Sequence, residues 1–446
     1  MPAFVTLPLF VLASLLTAVP MARAQDLPDP VTDADYLEID LQAARLGQLL
    51  FYDPILSGNR NVACATCHHP SLGTADGLSL SFGDGGVGLG AVRRADPENL
   101  PEQRVPRNAP ALFNLGAHDF TVMFHDGRLE ADPDQPGGIR TPLDADMVAG
   151  FDNVLSAQTM FPVLSRDEMA GGHRENEIGR AVRQGLITGE GGAWSLISER
   201  VAGVPEYLDA FRATYPHIQT GEDIAFTDIS NAIAAFMAHE WRSDTALFDA
   251  VLRGEAVMTG RAAEGLDLFY GDAGCATCHA GPFLTDHGFH AMGAPQIGPG
   301  KAATFEDHQR DEGRFRVTGD PADLYAFRTP SLRNVALTAP YGHAGAHLSL
   351  SQFLAEHGQP DALQFDRAQV LLPDPLDEDF AIMEDAAQWA AIADAVTVRP
   401  GPLTDSQIAA LVAFLDTLTD PVAQTGRLGI PDSVPSGLPV PMVEVE

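Results

Sequence analysis

All four cysteines of the chain fall in two copies of one short pattern, Cys64-Ala65-Thr66-Cys67-His68 and Cys275-Ala276-Thr277-Cys278-His279. In C-x-x-C-H the two thiols can add across the vinyl groups of a haem, and the adjacent imidazole can serve as the proximal iron ligand. The spacing suits one helical turn, so both sulfurs and the imidazole can reach the same macrocycle. Two other chemistries use paired cysteines: a four-cysteine zinc site and redox-active disulfides. Zinc needs no following histidine, and its knuckles usually lie close together, whereas these motifs lie far apart. The residues therefore point to two covalently attached haem c groups.

Each motif needs a scaffold, and the flanks repeat. Leu46-Gly47-Gln48-Leu49-Leu50-Phe51-Tyr52-Asp53 ends an apolar-periodic stretch that predicts a helix from about Asp35. Gly265-Leu266-Asp267-Leu268-Phe269-Tyr270-Gly271-Asp272 precedes the second motif in the same way. A helix, a Gly- or Pro-bearing turn and then CxxCH occur twice. Residues 228–241 place Ile229, Ile233, Phe236 and Met237 on one stripe. Thr404 and Gln407 form a capping box before a last helix that buries Ile408, Leu411, Val412, Leu415 and Leu418. No long alternating strand pattern is present. The expected fold is mainly α, with two cytochrome-c-like haem domains, residues 25–243 and 244–424, and long irregular loops. Residues 83–106, 130–150 and 295–322 read as loops, the last expected to cover the second haem. Residues 425–446 read as a loose Pro-rich tail.

The 446 residues carry 27 Lys+Arg against 61 Asp+Glu, a net charge of −34. Such a surface repels nucleic acid. It would attract a small basic redox partner, although the charge could equally serve solubility alone. Residues 4–20 are apolar and lead to Ala22-Arg23-Ala24, a small-x-small site, so residues 1–24 read as a signal peptide. Pro8 and Pro20 and the short run disfavour a membrane anchor. No stable membrane insertion is expected after cleavage, and export to the periplasm is.

Two such domains in this order resemble the bacterial di-haem cytochrome c peroxidase and MauG superfamily over roughly residues 36–420. Arg107-Asn108-Ala109-Pro110-Ala111-Leu112-Phe113-Asn114 is similar to one family segment. Phe124-His125-Asp126-Gly127-Arg128 matches another except at His125. Gln158 and Glu168, ten positions apart (168−158), sit like the family's distal Gln and Glu. Arg328-Thr329-Pro330-Ser331-Leu332-Arg333-Asn334-Val335 and Leu337-Thr338-Ala339-Pro340-Tyr341 complete the set. The resemblance implies that the first haem is the peroxide site and the second passes electrons. A peroxidatic haem needs one open face and a general acid–base. By resemblance Glu168 is that group and Gln158 orients the peroxide. The family's inter-domain calcium would fall on Asn108, Thr338 and Pro340, with oxygen donors that suit Ca²⁺.

Three departures from the family pattern matter. The loop histidine that often caps the resting peroxide haem is replaced by Asp84, and no histidine lies between His69 and His118. The first haem is thus expected to be open without reductive activation. His125 stands where the family has an inter-haem tryptophan; it is either a relay or a satisfied buried histidine. His357 stands where the second haem has a distal Met or Tyr, so bis-histidine ligation is expected, with His343, His347, His287 and His290 as competitors. Three functions follow from these readings. One is a periplasmic peroxidase reducing hydrogen peroxide with electrons from a small cytochrome c or cupredoxin. The second is a MauG-like enzyme oxidising Trp or Tyr on a partner protein. The third is a non-catalytic electron carrier.

Overall fold

A computed structural model describes residues 27–443 apart from 144, 303–305 and 361–364. The signal peptide expected at residues 1–24 lies outside the described residues. Short and medium helices dominate, and no described strand exceeds three residues. Seven helices bear on the site: α1 (Leu41–Tyr52), α2 (Cys64–Cys67), α3 (Val154–Gln158), α4 (Phe226–Glu240), α5 (Gly260–Tyr270), α6 (Leu350–Glu356) and α7 (Asp405–Asp416).

Helix α1 starts later than its periodicity suggests. Residues 33–35 form a separate 3₁₀ turn, and Leu37 N donates to Gly116 O at 2.9 Å. Asp40 then caps α1 by accepting from Gln42 N at 2.7 Å. Helix α7 begins where expected, with Thr404 accepting from Gln407 N at 3.3 Å. Ile408, Leu411, Leu415 and Leu418 are buried, while Val412 is only half-buried.

Two helix pairs carry the architecture, and they repeat one another. Helix α1 packs on α4 and α5 packs on α7. At the first crossing, a Cβ on Gly47 would strike Ala232 O and lie 2.9 Å from the Phe236 Cβ. At the second, a Cβ on Gly265 would strike Ala410 O and lie 2.8 Å from the Phe414 Cβ. Both crossings need glycine because the facing backbone approaches too closely for any side chain. Aromatic rings fill the adjacent space in each. Phe51 lies 5.2 Å from Phe236 and 5.1 Å from Trp241, and Phe269 lies 5.1 Å from Phe414.

A second repeat ties the pairs together. Asn114 and Asn334 both adopt φ 61° at the end of a Pro-x-Leu-x-Asn segment. Asparagine is among the few residues that tolerate this left-handed conformation. Asn114 N donates to Trp241 O at 3.0 Å, just beyond α4. Asn334 N donates to Leu418 O at 3.1 Å, just beyond α7. The two side chains converge on Ser243: Asn114 Oδ1 accepts from its N–H at 2.7 Å and Asn334 Nδ2 donates to its Oγ at 2.9 Å.

Residues 425–443 are not loose. Glu240 accepts from Arg427 N at 3.0 Å, Leu428 N at 2.6 Å and Gly429 N at 2.8 Å. Ser436 Oγ donates to Asp53 at 2.7 Å, and Val434 is buried in the core around α1 and α4. The tail is held because apolar residues at 428, 430, 434, 438 and 440 pack on that core, which the proline content of the segment conceals.

Candidate active site

The two CxxCH segments are held alike. Helix α2 is a single turn, and Cys275–Thr277 is a 3₁₀ turn. His68 Nδ1 faces Thr74 O at 3.0 Å, and His279 Nδ1 faces Leu284 O at 3.1 Å. Burial lowers the proton affinity of both rings, so each is neutral, with its Nδ1 proton on a carbonyl. That tautomer leaves Nε2 the lone pair that can ligate a metal, while backbone carbonyls of Pro110 and Pro330 also help hold the two rings. All four thiols are half-buried and free of disulfides. The four sulfurs do not converge, which removes the zinc alternative among the described residues; only Cys278 joins a potential ligand cluster, with Asp286 and His290. Two free thiols and a free imidazole nitrogen per site fit covalent haem.

The segment after the first motif leads to the turn that carries Glu168. Ser81 Oγ lies 3.8 Å from Cys67 Sγ. At Gly83 a Cβ would lie 2.7 Å from the Glu168 Cα, and Asp84 N donates to Asp167 O at 3.3 Å. Glu168 sits on a π-turn, Arg166–Ala170, in which Ala170 N reaches back to Ser165 O at 2.9 Å. Such turns re-aim side chains and recur at functional sites. The half-buried Glu168 carboxylate makes no hydrogen bond with any described residue and lies within electrostatic reach of Cys67. Burial raises its proton affinity; Arg128 and Lys301 oppose this, and Asp167 adds to it. Gln158 ends α3 half-buried, and its amide also lacks a described partner. Phe161 and Phe124 pack edge to face at 5.0 Å, with the Arg128 guanidinium 3.8 Å above Phe124.

Asp84, at the position of the capping histidine, is folded into its own loop. It accepts from Asn59 at 2.9 Å and Asn99 at 3.1 Å. His125 is neutral: burial, then Arg107 and His343, push it down to about 3. Its Nε2 lies 3.2 Å from Asn108 O, so that nitrogen carries the proton.

On the second side, His357 caps the C-terminus of α6. Burial, then His279 and His347, lower it to about 4, so its ring lies within electrostatic reach of the proximal His279. Of its competitors, His347 and His290 have a carboxylate partner, whereas His343 Nε2 and His287 Nδ1 are buried without one. His347 Nε2 faces Glu356 at 2.9 Å, His290 Nε2 faces Asp286 at 2.9 Å, and His343 stacks on Phe327 at 3.7 Å. His287 packs 5.0 Å from Phe120. Asn108 Nδ2 donates to Leu78 O at 2.8 Å, leaving Oδ1 without a described donor, as are the carbonyls of Thr338 and Pro340.

One loop falls elsewhere than expected. The described residues of 295–322 pack on the first side rather than over the second haem motif. Gly298 abuts the buried Leu80, and Arg107 pairs with Asp311 at 2.6 Å and with Asp126 at 2.7 Å. Lys301 thereby reaches the neighbourhood of Asp126, Arg128 and Glu168. Sequence reasoning missed Lys301, although one signal was present: it is the only lysine in the chain.

Comparisons with known proteins give the family. Residues 41–257 match the family model described as di-haem cytochrome c peroxidase. The chain is 29% identical over 361 residues to cytochrome c551 peroxidase of Pseudomonas aeruginosa, covering 78% of this chain and 84% of that one. It is 30% identical over 333 residues to methylamine utilization protein MauG of Methylorubrum extorquens, covering 74% and 72%. The crystal structure of a MauG-like protein associated with microbial copper homeostasis superposes with a TM-score of 0.57 at 26% identity, covering 91% of this chain and 96% of that one. The chain therefore belongs to the di-haem cytochrome c peroxidase and MauG superfamily, oxidoreductases that carry two c-type haems.

Proposed function

We propose that this protein is a periplasmic peroxidase that reduces hydrogen peroxide to two waters, with two protons and two electrons supplied by a small cytochrome c or cupredoxin. The reading divides the chain into two haem domains, residues 25–243 for peroxide and 244–424 for electron transfer. One observation carries it. The first side presents a half-buried carboxylate and amide, Glu168 and Gln158, with no described hydrogen-bond partner, whereas the second presents the His357 ring within electrostatic reach of His279. When bound, the first haem supplies the iron at which the O–O bond is cleaved.

The chain's own residues do the rest. Cys64 and Cys67 fix the macrocycle, and His68 offers Nε2 because Thr74 O holds its other nitrogen. Glu168 accepts the proton of the inner peroxide oxygen and returns it to the leaving oxygen. Gln158 donates its amide N–H to orient the peroxide. Phe124 and Phe161 exclude water around them. Cys275, Cys278 and His279 would hold the second haem, and His357 would offer it a second imidazole. His125 stays neutral between the sites, which suits an electron path and not a proton store. Asn108 Oδ1 and the carbonyls of Thr338 and Pro340 offer oxygen ligands to a calcium ion at the junction.

The test is turnover of the purified holoprotein with a reduced small cytochrome or cupredoxin. Two electrons consumed per peroxide is the expected result. No oxidation of any such donor contradicts the reading. A second reading, oxidation of Trp or Tyr on a partner protein, is favoured by Asp84, because the loop offers no histidine to close the first site. A mass change on a co-expressed exported partner would select it.

A further inference from the structure

We propose that Lys301 is a positioning residue of the peroxide site: delivered from the second half of the chain, its ammonium keeps the distal carboxylate Glu168 ready to accept a proton. The inference deepens the reading of Glu168 as the acid–base group and rests on it.

The segment that brings Lys301 in is pinned at several points. Gln296 and Asp311 exchange two hydrogen bonds of 2.8 Å, and Ile297 is buried against Leu80. Gly298 N donates to Asp379 O at 2.8 Å, and a Cβ at Gly298 would strike Leu80. Leu80 precedes Ser81 and Gly83, which touch Cys67 and the Glu168 backbone. The half-buried lysine thus stands three residues beyond the Gly298–Leu80 contact (301−298), although it follows Glu168 by 133 positions (301−168).

The charges around the pair explain why a lysine matters there. Facing Glu168 are Arg128 from the Phe124–Arg128 segment, Lys301 from the pinned loop, and Asp167 from its own turn. Facing Lys301 are Arg128, Arg107, Asp311 and Asp126. Asp126 is already held by Arg107 at 2.7 Å and Arg128 at 3.0 Å, and Asp311 by Arg107 at 2.6 Å. Lys301 makes no hydrogen bond or ion pair within this set, so its charge is not consumed by a partner. Burial and the two arginines push it down to about 8. It is therefore charged at neutral pH and loses that charge in mildly alkaline solution. Arginine could not do so, since it stays protonated throughout. The remaining 26 of the 27 basic residues (27−1) are arginines, which sets this position apart.

The test is the pH dependence of two readouts in haem-loaded Lys301→Met. One is kcat/KM for peroxide. The other is the cyanide association rate followed by haem absorption, since hydrogen cyanide must also give up its proton to bind. Loss of the ammonium makes Glu168 hold its proton to higher pH. Both acid limbs should move alkaline, with rates at pH 6 falling roughly threefold to tenfold and recovering towards pH 8. Lys301→Arg should leave both acid limbs in place. Unmoved limbs in Lys301→Met, or limbs displaced in Lys301→Arg, would overturn the proposal, as would a changed haem potential with the limbs unmoved, which would assign Lys301 to a haem carboxylate. Glu168→Gln separates the two ideas. If that variant retains the wild-type acid limbs, the reading of Glu168 fails; if it abolishes them while Lys301→Met leaves them unmoved, only the role of Lys301 fails.

Discussion

The two sides of this molecule share a frame and differ at its open face. Each has a CxxCH turn, an imidazole held through Nδ1, a glycine-notched helix crossing and an Asn with φ 61° that fastens the loop behind the motif. On the first side the polar ends of Glu168, within electrostatic reach of Cys67, and of Gln158 have no described hydrogen-bond partner. On the second, the His357 ring lies within electrostatic reach of His279. On the proposed reading, nearly identical proximal architecture serves two chemistries, and the distal residues decide which. A ligand that fills the sixth position makes a carrier; a carboxylate that leaves it open makes a reaction site.

The comparison breaks most sharply at Glu168. Glu168→Gln should lower kcat/KM for peroxide by about 10²- to 10⁴-fold, with both haems attached and the second side spectroscopically unchanged. Steady-state kinetics beside haem quantification checks this. Wild-type activity should also fall as the solution is acidified. Burial raises the proton affinity of Glu168, so the carboxylate form exists only above that raised value and is lost as pH drops through it. The acid limb should therefore lie above that of an ordinary glutamate and be absent from Glu168→Gln.

Stability should respond alike on both sides if the repeat is real. Gly47→Ala and Gly265→Ala each force a methyl into a facing carbonyl, and each should cost about 1–3 kcal/mol, read from denaturant unfolding of the holoprotein. A large effect at one and none at the other would show that the crossings are not equivalent. The smallest expected effect is on the second side. His357→Met should raise the potential of that haem and leave peroxide binding at the first unchanged, as measured by spectroelectrochemistry and peroxide titration.

Much of this was legible in the sequence because the signals are local. CxxCH is a contiguous motif, and the glycines at 47 and 265 stand in matching stretches before it. The Thr404 capping box and the stripe Ile229, Ile233, Phe236 and Met237 were read correctly because helix periodicity is also local. Long-range placement was not legible. Residues 295–322 are polar and lie near the second motif in sequence, yet the Arg107–Asp311 pair and the Leu80 contact draw them to the first. The tail has the proline content of a loose segment, yet Glu240 collects three of its backbone amides. Helix α1 begins at Leu41 because Asp40 outcompetes the earlier turn as a cap, a choice periodicity does not encode.

The most direct test of the whole account is the EPR spectrum of the ferric holoprotein as isolated. The account predicts one high-spin signal that responds to added cyanide, from the first haem, and one low-spin signal with bis-histidine g-values that does not respond, from the second. Two low-spin signals, both indifferent to cyanide, would contradict it.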